Sequence, residues 1–391
     1  MQRPYETPQG ELGVPFEPGR QRGCPGGMLT EGLVSMRKAA ISSGVVGLIL
    51  LVGSALLAWW VTPSYIARMP SDFNKTRSYD GTVRTLFDPA ALATGNLAAA
   101  IKTGLPATLT ENVKVQQTSG NTALLQDTRN VMAAGNTVGH IVSNYAVDRK
   151  SLEAVSSYPS DWTVAPAKGL TVSWPLGAKQ QNYTGWVYMT YTTTPLKYIK
   201  QVQQGGVNTY QYQATVPATP IKNPQVLASL PKSLPVSLLP GLKAAGLISP
   251  ANLASLSKVF PGAAQIPLGY TYQASNTYYV APDTGMVVNV VKNETEMGGI
   301  ALPNGTIIPV LPVLAMTYHT SPASLSAAVN DANSGSSMIT LFGVTLPIVA
   351  ASAGFVLVVL GAFLWMRGTS KGRPTGITHP ERHPTPAGGV S

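Results

Sequence analysis

Two long stretches without a charged residue constrain this chain more than any other feature. The first runs from Ala39 to Val61 and the second from Met338 to Met366. An α-helix rises about 1.5 Å per residue, so the first stretch extends about 35 Å and exceeds a hydrocarbon core of about 30 Å. The second is long enough to cross with a tilt, and Pro347 favours a kink within it. The sequence therefore predicts transmembrane helices at residues 39–61 and 338–366.

A cleaved secretory signal peptide is the alternative for the first stretch. Its apolar length exceeds the roughly 7–15 residues of a secretory core, and 38 residues precede it. Both features favour a signal-anchor helix that stays in the protein. Small residues recur at a spacing of four at Ser43 and Gly47, and again at Ala350 and Gly354, which allows two helices to approach closely.

The charges that flank the two stretches predict their orientation. Basic residues stand outside each stretch, at Arg37, Lys38, Arg367, Lys371 and Arg373. Because an excess of Lys and Arg marks the cytoplasmic side, both termini are expected in the cytoplasm and residues 62–337 outside the plasma membrane. Residues 1–38 and 367–391 are rich in Gly and Pro with little apolar content, so both are predicted to be disordered cytoplasmic tails.

The net charge of +10 is spread along the chain rather than concentrated. It divides into +1 for residues 1–61, +6 for residues 62–337 and +3 for residues 338–391. A nucleic-acid partner needs basic residues clustered on one face, and this pattern predicts no such partner. The one cysteine, Cys24, lies in the N-terminal tail, so the central region is expected to fold without disulfides.

The central region alternates apolar and polar residues, which is typical of a sheet with one buried face. Strands are predicted at residues 113–118, 123–133, 137–148, 169–177, 185–194, 198–204 and 208–216. Turns are predicted at Asp148–Ser151, Gly205–Gly206 and Pro282–Gly285. The predicted fold class is α+β, with a β-rich domain that holds a curved antiparallel sheet and short covering helices, flanked by the two transmembrane helices.

Residues 221–268 interrupt the strand pattern with repeated prolines. Within them, residues 238–248 and 249–260 read as short amphipathic helices, the second with Ser249 as its cap. Three interpretations stay open: a helical cover on the sheet, a lid over a cavity, or an element resting on the membrane. Of the three, the helical cover is favoured, because it needs neither a cavity nor a membrane contact.

Two further helices are predicted from a capping residue followed by proline. Asp88 precedes Pro89 at the start of one, and Ser321 precedes Pro322 at the start of the other. The second is expected to end before a linker at residues 334–337, which leads into the second span.

The chain shows no constellation that predicts catalysis. His140 and His319 are the histidines of the central region, and neither has a metal-ligand spacing around it. Asp148 and Asp283 invite a metal or catalytic interpretation, but turn chemistry explains both. No phosphate-binding loop and no nucleophile elbow occur. We therefore expect no enzyme, no cofactor, and no catalytic, cofactor-binding or metal site.

Several strings, in order, resemble a known family. They are LFDPAAL, NYAVDRKSLEAV, SWPLGAKQQNYTGW, YYVAPDTGMVV and YHTSPASLSAAVNDA. In order and spacing, between two apolar spans, they resemble the actinobacterial porin-A-like group of membrane-anchored proteins, a domain of unknown function. The resemblance covers most of residues 45–365.

The expected function is the binding or handling of a cell-envelope lipid or glycolipid, with the lipid bilayer as one partner and an envelope lipid or a membrane protein as another. The alternative is a structural scaffold for an envelope complex. A pore ranks last, because a transmembrane barrel needs lipid-facing strands and neither predicted span carries an ionisable residue.

Overall fold

The computed structural model describes residues 28–88, 91, 97–244, 246 and 248–369. It divides into two compact units. One contains the described residues of Met1–Ser54 and Ile348–Ser391, and the other is Ala55–Pro347. Two helical stretches are long and apolar enough to cross a membrane, Arg37–Ser64 and Pro322–Arg367, and they contain both predicted spans.

The first unit is a pair of helices in close contact. Helix α1 (Met28–Leu56) begins well before the predicted span, so residues 28–38 are helical rather than part of a disordered tail. A Cβ atom on Gly47 would lie 2.6 Å from the carbonyl oxygen of Gly354, and one on Gly361 would lie 2.8 Å from that of Ala40. The small residues thus allow backbone-to-backbone packing, as their spacing predicts. Residues 1–27 and 370–391 of the predicted tails lie outside the described residues.

Both apolar helices contain a widened, π-helical segment next to a proline. Residues Leu57–Ile66 are π-helical and contain Pro63. Residues Leu341–Thr345 are π-helical and come just before Pro347. Proline has no N–H to donate, and its ring clashes with the carbonyl four residues back, so a widened turn accommodates it. The irregularity predicted at Pro347 is therefore a local change of helix type.

The second unit is built on one antiparallel sheet. Its strands are β1 (Asn74–Phe87), β2 (Ile101–Lys102), β3 (Leu105–Ser119), β4 (Thr122–Ala133), β5 (Asn136–Asp148), β6 (Tyr183–Val187), β7 (Thr192–Gln204), β8 (Val207–Pro220), β9 (Ser233–Pro235), β10 (Gln265–Val280), β11 (Val287–Ala301) and β12 (Ile307–Thr320). The order across the sheet is β5-β4-β3-β1-β12-β11-β10-β8-β7-β6, with β2 paired to β1 and β9 to β10. The predicted curved antiparallel sheet is confirmed.

The connection from β5 to β6 joins the two edges of the curled sheet. Val155 N–H donates to the Ala146 carbonyl on β5, at 2.9 Å, and Ala154 N–H donates to the Gly169 carbonyl at 2.8 Å. On the other side, the N–H of Leu170 donates to the carbonyl of Thr184 at 2.9 Å. These bonds use edge groups that would otherwise be unpaired. Residues 169–177 are thus not the predicted strand, because Leu170 alone among them forms strand-like bridges, to Glu153 and Gly185.

The strand predicted at residues 185–194 is also interrupted. Strand β6 ends at Val187, and residues 188–191 form a turn before β7. Tyr191 has a φ of 54°, which a regular strand does not allow. The predicted hairpin at Gly205–Gly206 is confirmed, since both glycines have positive φ, 56° and 88°, between β7 and β8.

Residues 221–268 form a helical cover, as the first of the three interpretations expects. The segment contains α3 (Pro224–Ala228), α4 (Leu239–Ala244) and α5 (Pro250–Val259), with Ser249 capping the last. Leu242 and Leu256 are buried against Ile300 of β11 and its neighbours, which fills the space beneath the cover. A short helix α2 (Leu97–Ala100) precedes β2. The Asp88 carboxylate accepts from Ala91 N–H, and the rest of that predicted helix start lies outside the described residues.

The last two helices are continuous rather than separated by a linker. Helix α6 (Pro322–Thr340) is capped by Ser321 as predicted, but it runs through residues 334–337 and leads by the π-helical segment into α7 (Leu346–Thr369). The small residues there are packing residues. A Cβ on Gly335 would lie 2.8 Å from the Thr284 methyl, and Ser336 donates to the Asp283 carboxylate at 2.6 Å. The prediction of a linker was therefore wrong.

Candidate functional site: a charged cavity inside the curled sheet

A cavity of about 490 Å³ lies within the curl of the sheet. Inward-facing residues of β1, β3–β8, β10 and β11 line it, together with residues 170–176 and one face of α6. No residue of the cover at 221–268 is among those that line it. An apolar cavity beneath the cover would distinguish a carrier from a scaffold. The cavity found here lies elsewhere, away from the cover.

Arg129 is the centre of the charged part of the cavity wall. It faces Glu111 directly across the β3–β4 pair, and one guanidinium nitrogen lies 2.8 Å from Glu111 Oε1 and 2.8 Å from Asp127 Oδ2. Tyr79 on β1 donates its hydroxyl to Glu111 Oε2 at 2.9 Å. The Arg129 guanidinium also lies 4.2 Å from the ring centroid of Tyr188, just after β6. Arg129 therefore contacts residues near both edges of the sheet, on β3 and just after β6.

Burial and pairing act in opposite directions on the two carboxyl groups. For Glu111, burial raises the pKa, but Arg129, Lys292 and the Tyr79 hydroxyl lower it more, so the net shift is downward. For Asp127, burial is the largest cause and raises the pKa to about 6, although Arg129 opposes it. Arg129 stays charged, because Asp127 and Glu111 more than offset the cost of burying it.

A second group of charges follows on β11. Lys292 Nζ lies 4.0 Å from Glu294 Oε1, and it sits 5.6 Å from the ring centroid of Tyr318. The side chains of Lys292 and Glu294 line the cavity. Glu296 follows two residues later, on the same face of the strand, and burial together with Glu294 raises its pKa to about 7. Asp127 and Glu296 therefore change charge within the physiological range of pH.

Helix α6 contributes a third charged group at the wall. Asp331 accepts from Lys75 at 2.8 Å and from Arg77 at 2.6 Å, both on β1. These bonds lower the pKa of Asp331 against the effect of its burial. The charges that line this side of the cavity are thus paired with each other.

On three neighbouring strands the outer face of the sheet carries exposed polar residues. Lys197, Gln213, Thr215, Gln273 and Ser275 are exposed on β7, β8 and β10. A transmembrane barrel needs an apolar outer band. The outward-facing polar residues of β7, β8 and β10 do not form such a band.

The residues weighed from the sequence lie away from this cavity. Asp148 Oδ1 accepts from the N–H groups of Lys150 and Ser151, both at 2.8 Å, which confirms the turn interpretation. Asp283 sits in the β10–β11 turn beside α6. His140 is exposed on the outer face of β5, and His319 lies on β12. Within the described residues, no cluster of His, Cys, Asp and Glu has the arrangement of a metal site.

The model of the family Porin PorA matches residues 41–363. The chain belongs to the Porin PorA family. A curated relative described as Porin PorA, from Corynebacterium resistens, is 22% identical over 416 residues, which cover 83% of this chain and 96% of the relative. The resemblance to a porin-A-like group, drawn from the order of short strings, is confirmed.

Membership in the Porin PorA family corrects one expectation. A pore was ranked last, behind an envelope lipid carrier and a scaffold, and the descriptions of the family and of its relative as porins contradict that ranking. That expectation rested on the lipid-facing strands that a transmembrane barrel needs and on the lack of ionisable residues in the two apolar spans. Most of the charged groups that line the cavity lie instead on strands, inside the curled sheet.

Among solved structures, the chain matches a conserved protein of unknown function with a hot dog fold from Alicyclobacillus acidocaldarius. The match has 13% identity and a TM-score of 0.12, and it covers 64% of this chain and 79% of that one. A likeness of this size carries no information about the fold of this chain.

The charged residues of the cavity were missed in the sequence, although a signal for them exists. Leu125, Asp127, Arg129 and Val131 alternate along β4, so all four share one face of the strand. Charges flanked on the same face by buried leucine and partly buried valine point inward. The same pattern holds on β11, where Val290, Lys292 and Glu294 share a face.

Proposed function

We propose that this chain is a subunit of a membrane pore for ions and small hydrophilic solutes. The observation that carries the proposal is the row of ionised groups on the inner face of the curled sheet, around Arg129, Lys292 and Glu294. Burying ionised groups costs several kcal/mol each in an ordinary core, about as much as pairing returns. An interior that keeps them is suited to hydrophilic contents. The description of the family and its relative as porins supports the same function.

Several copies of the chain are needed to form such a pore. The two helices of one chain touch backbone to backbone at Gly47 and Gly354, so no passage exists between them there. Their remaining surface is apolar and exposed, for example at Leu48, Ile49 and Phe355. That surface suits lipid or the helices of further copies.

We further propose that both termini lie in the cytoplasm and that the sheet lies on the extracytoplasmic side of the plasma membrane. The support is the basic flanks, Arg37 and Lys38 before the first span and Arg367 after the second. Cys24, the one cysteine of the chain, provides a natural reporter. A membrane-impermeant maleimide should label it only after the cells are permeabilised. In a Cys24→Ser background, Gln203→Cys should be labelled in intact cells, and the reverse pattern would refute this orientation.

Conductance across a planar bilayer tests the proposed pore. The full chain, purified in detergent, is expected to give discrete conductance steps, while a mock preparation from the same host gives none. Glu294→Gln removes one negative charge from the interior with little change of shape, so the preference for cations over anions should fall. Asp80→Asn is the matched control, because Asp80 is exposed on β1. Absence of steps with well-folded protein would exclude the pore.

A further inference from the structure

Positive charge is in excess on the wall of the cavity. Among the described residues that line it, five are basic and three are acidic: Arg68, Lys75, Arg77, Arg129 and Lys292, against Glu111, Glu294 and Asp331. Arg129 is shared between Glu111 and Asp127, and Lys292 lies beside Glu294. The excess therefore lies with Arg68, Lys75 and Arg77, for which Asp331 is the carboxylate that remains on the wall.

Lys75 and Arg77 share one carboxylate and keep unused donors. Asp331 accepts from Lys75 Nζ at 2.8 Å and from Arg77 Nη2 at 2.6 Å, and Arg77 Nη1 donates to the Thr76 carbonyl at 3.2 Å. A guanidinium has five N–H groups and an ammonium has three. Most of these donors thus have no acceptor within the described part of the chain. The side chains of Lys75 and Arg77 are 41% and 16% exposed and line the cavity, so an occupant can reach them.

The net charge of this group favours an occupant with a single negative charge. Lys75, Arg77 and Asp331 together carry one positive charge, which one carboxylate neutralises. A carboxylate also presents two oxygens that match the paired N–H groups of a guanidinium. A phosphate monoester carries about −1.5 to −2 at neutral pH, so it would leave negative charge in excess beside Asp331.

Apolar residues beside the two cations favour a carboxylate that is attached to an apolar body. Val113 faces Lys75 directly across the β1–β3 pair and lines the cavity. Met338 and Ile339 line it about two helical turns after Asp331 on α6. The volume, about 490 Å³, lies within the roughly 300–1,000 Å³ of small-molecule sites. The wall thus combines a cationic group with apolar surface on the scale of a small organic acid.

We infer that the cavity binds a small organic carboxylate through the unused N–H donors of Lys75 and Arg77. The apolar part of this ligand packs on Val113 and on the end of α6. The site goes beyond the proposed pore and does not depend on it, because binding is measured without a membrane potential. A chain that conducts without binding the carboxylate, or binds it without conducting, separates the two proposals.

Calorimetric titration of the full chain in detergent at pH 7 tests the site, with the heat of micelles alone subtracted. Benzoate is the probe. Benzyl alcohol keeps the ring without the charge, and phenyl phosphate adds charge to it. Saturable binding is expected for benzoate, with at least tenfold weaker binding of the other two. No saturable heat for benzoate, or equal affinity for either control compound, would overturn the inference.

Variants that change the charge of the group locate the site. Lys75→Gln should weaken benzoate binding about tenfold. Lys102→Gln is the matched control, because Lys102 is an exposed lysine that pairs with Asp88 and does not line the cavity. It should bind as the unmodified chain does. Unchanged affinity in the Lys75→Gln protein would overturn the inference.

Asp331→Asn provides a test in the opposite direction. The substitution removes the carboxylate that competes for the two cations, so it should tighten benzoate binding several-fold. A purely structural role of Asp331 in the wall would instead weaken binding. Weaker binding by a variant whose circular dichroism shows an intact fold would contradict the assigned site.

Discussion

The guanidinium of Arg129 lies 4.2 Å from the centre of the Tyr188 ring, although the two residues belong to opposite ends of the strand order. Arg129 is on β4, one strand from the β5 edge, and Tyr188 follows β6 at the other edge. The contact is possible because the sheet curls round its charged interior. A cation held over an aromatic face in a desolvated place contributes about 1–2 kcal/mol.

Replacing Arg129 by methionine should destabilise the sheet strongly. The substitution leaves Glu111 and Asp127 buried without their partner, and the loss of one member of a buried ion pair costs about 3–5 kcal/mol. Denaturant titration followed by tryptophan fluorescence measures the change. Lys102→Met is the control, because the Lys102–Asp88 pair has a lysine that is 52% exposed, and such pairs contribute less than about 1 kcal/mol. Equal effects of the two substitutions would refute the central role of Arg129.

Glu296 should make stability depend on pH. Its pKa in the folded protein is about 7, above the roughly 4.3 of an unfolded chain. Between these values the folded state binds more protons than the unfolded state, so stability is highest below pH 4 and falls as the pH rises towards 7. Glu296→Gln should therefore stabilise the protein by up to about 3–4 kcal/mol at pH 8 and by little at pH 4.

Denaturant titrations of the two proteins at pH 4, 6 and 8 check this expectation. Asp127 titrates over a similar range, with a pKa of about 6, so some pH dependence should remain in the Glu296→Gln protein. A difference between the two proteins that does not change with pH would show that Glu296 ionises normally.

The contact between Gly47 and Gly354 should be sensitive to any side chain. A Cβ at Gly354 would meet the Gly47 carbonyl at 2.6 Å, so Gly354→Leu forces the helices apart and should cost about 1–3 kcal/mol. Gly53→Leu is the control, since no atom lies within 4 Å of a Cβ built there. Thermal unfolding in detergent, followed by the helical circular dichroism signal, should fall for the first variant and not for the second.

Gly285 should be required for the wall of the cavity. Its φ is +67°, and a Cβ there would lie 2.1 Å from the carbonyl oxygen of Trp174. Gly305 has a φ of +82° with open space around it. Gly305→Ala should therefore show the cost of the backbone conformation alone, about 1 kcal/mol. Gly285→Ala should cost more and increase hydrogen exchange in residues 170–176, and equal exchange in the two variants would argue against this close contact.

Local patterns predicted the sheet and the spans because each pattern has one dominant cause. Alternation along residues 123–133 and 137–148 reflects one buried face, and the uncharged stretch from residue 39 to 61 reflects a lipid solvent. Caps such as Ser321 and turns such as Asp148 depend on neighbours in the sequence, so they too could be read directly.

The cavity could not be predicted in the same way, because its parts meet only after folding. Segment 169–177 has the alternation of a strand, but its N–H groups bond to the sheet edge and to the β10–β11 turn. Residues 334–337 look like a linker, yet Gly335 and Ser336 are small because the β10–β11 turn packs on them. The inward direction of Asp127 and Arg129 could be predicted from the alternation along β4, but the contact between Arg129 and Tyr188 could not.

The close contact of Gly47 with Gly354 determines how many helices each chain adds to any assembly of this protein. Each chain adds two helices that are packed against each other, so the number of helices in an assembly increases by two with each copy. A ring of such hairpins always holds an even number of helices. The circumference of such a ring grows by the width of one helix pair for each chain added, so the number of chains would determine its inner diameter.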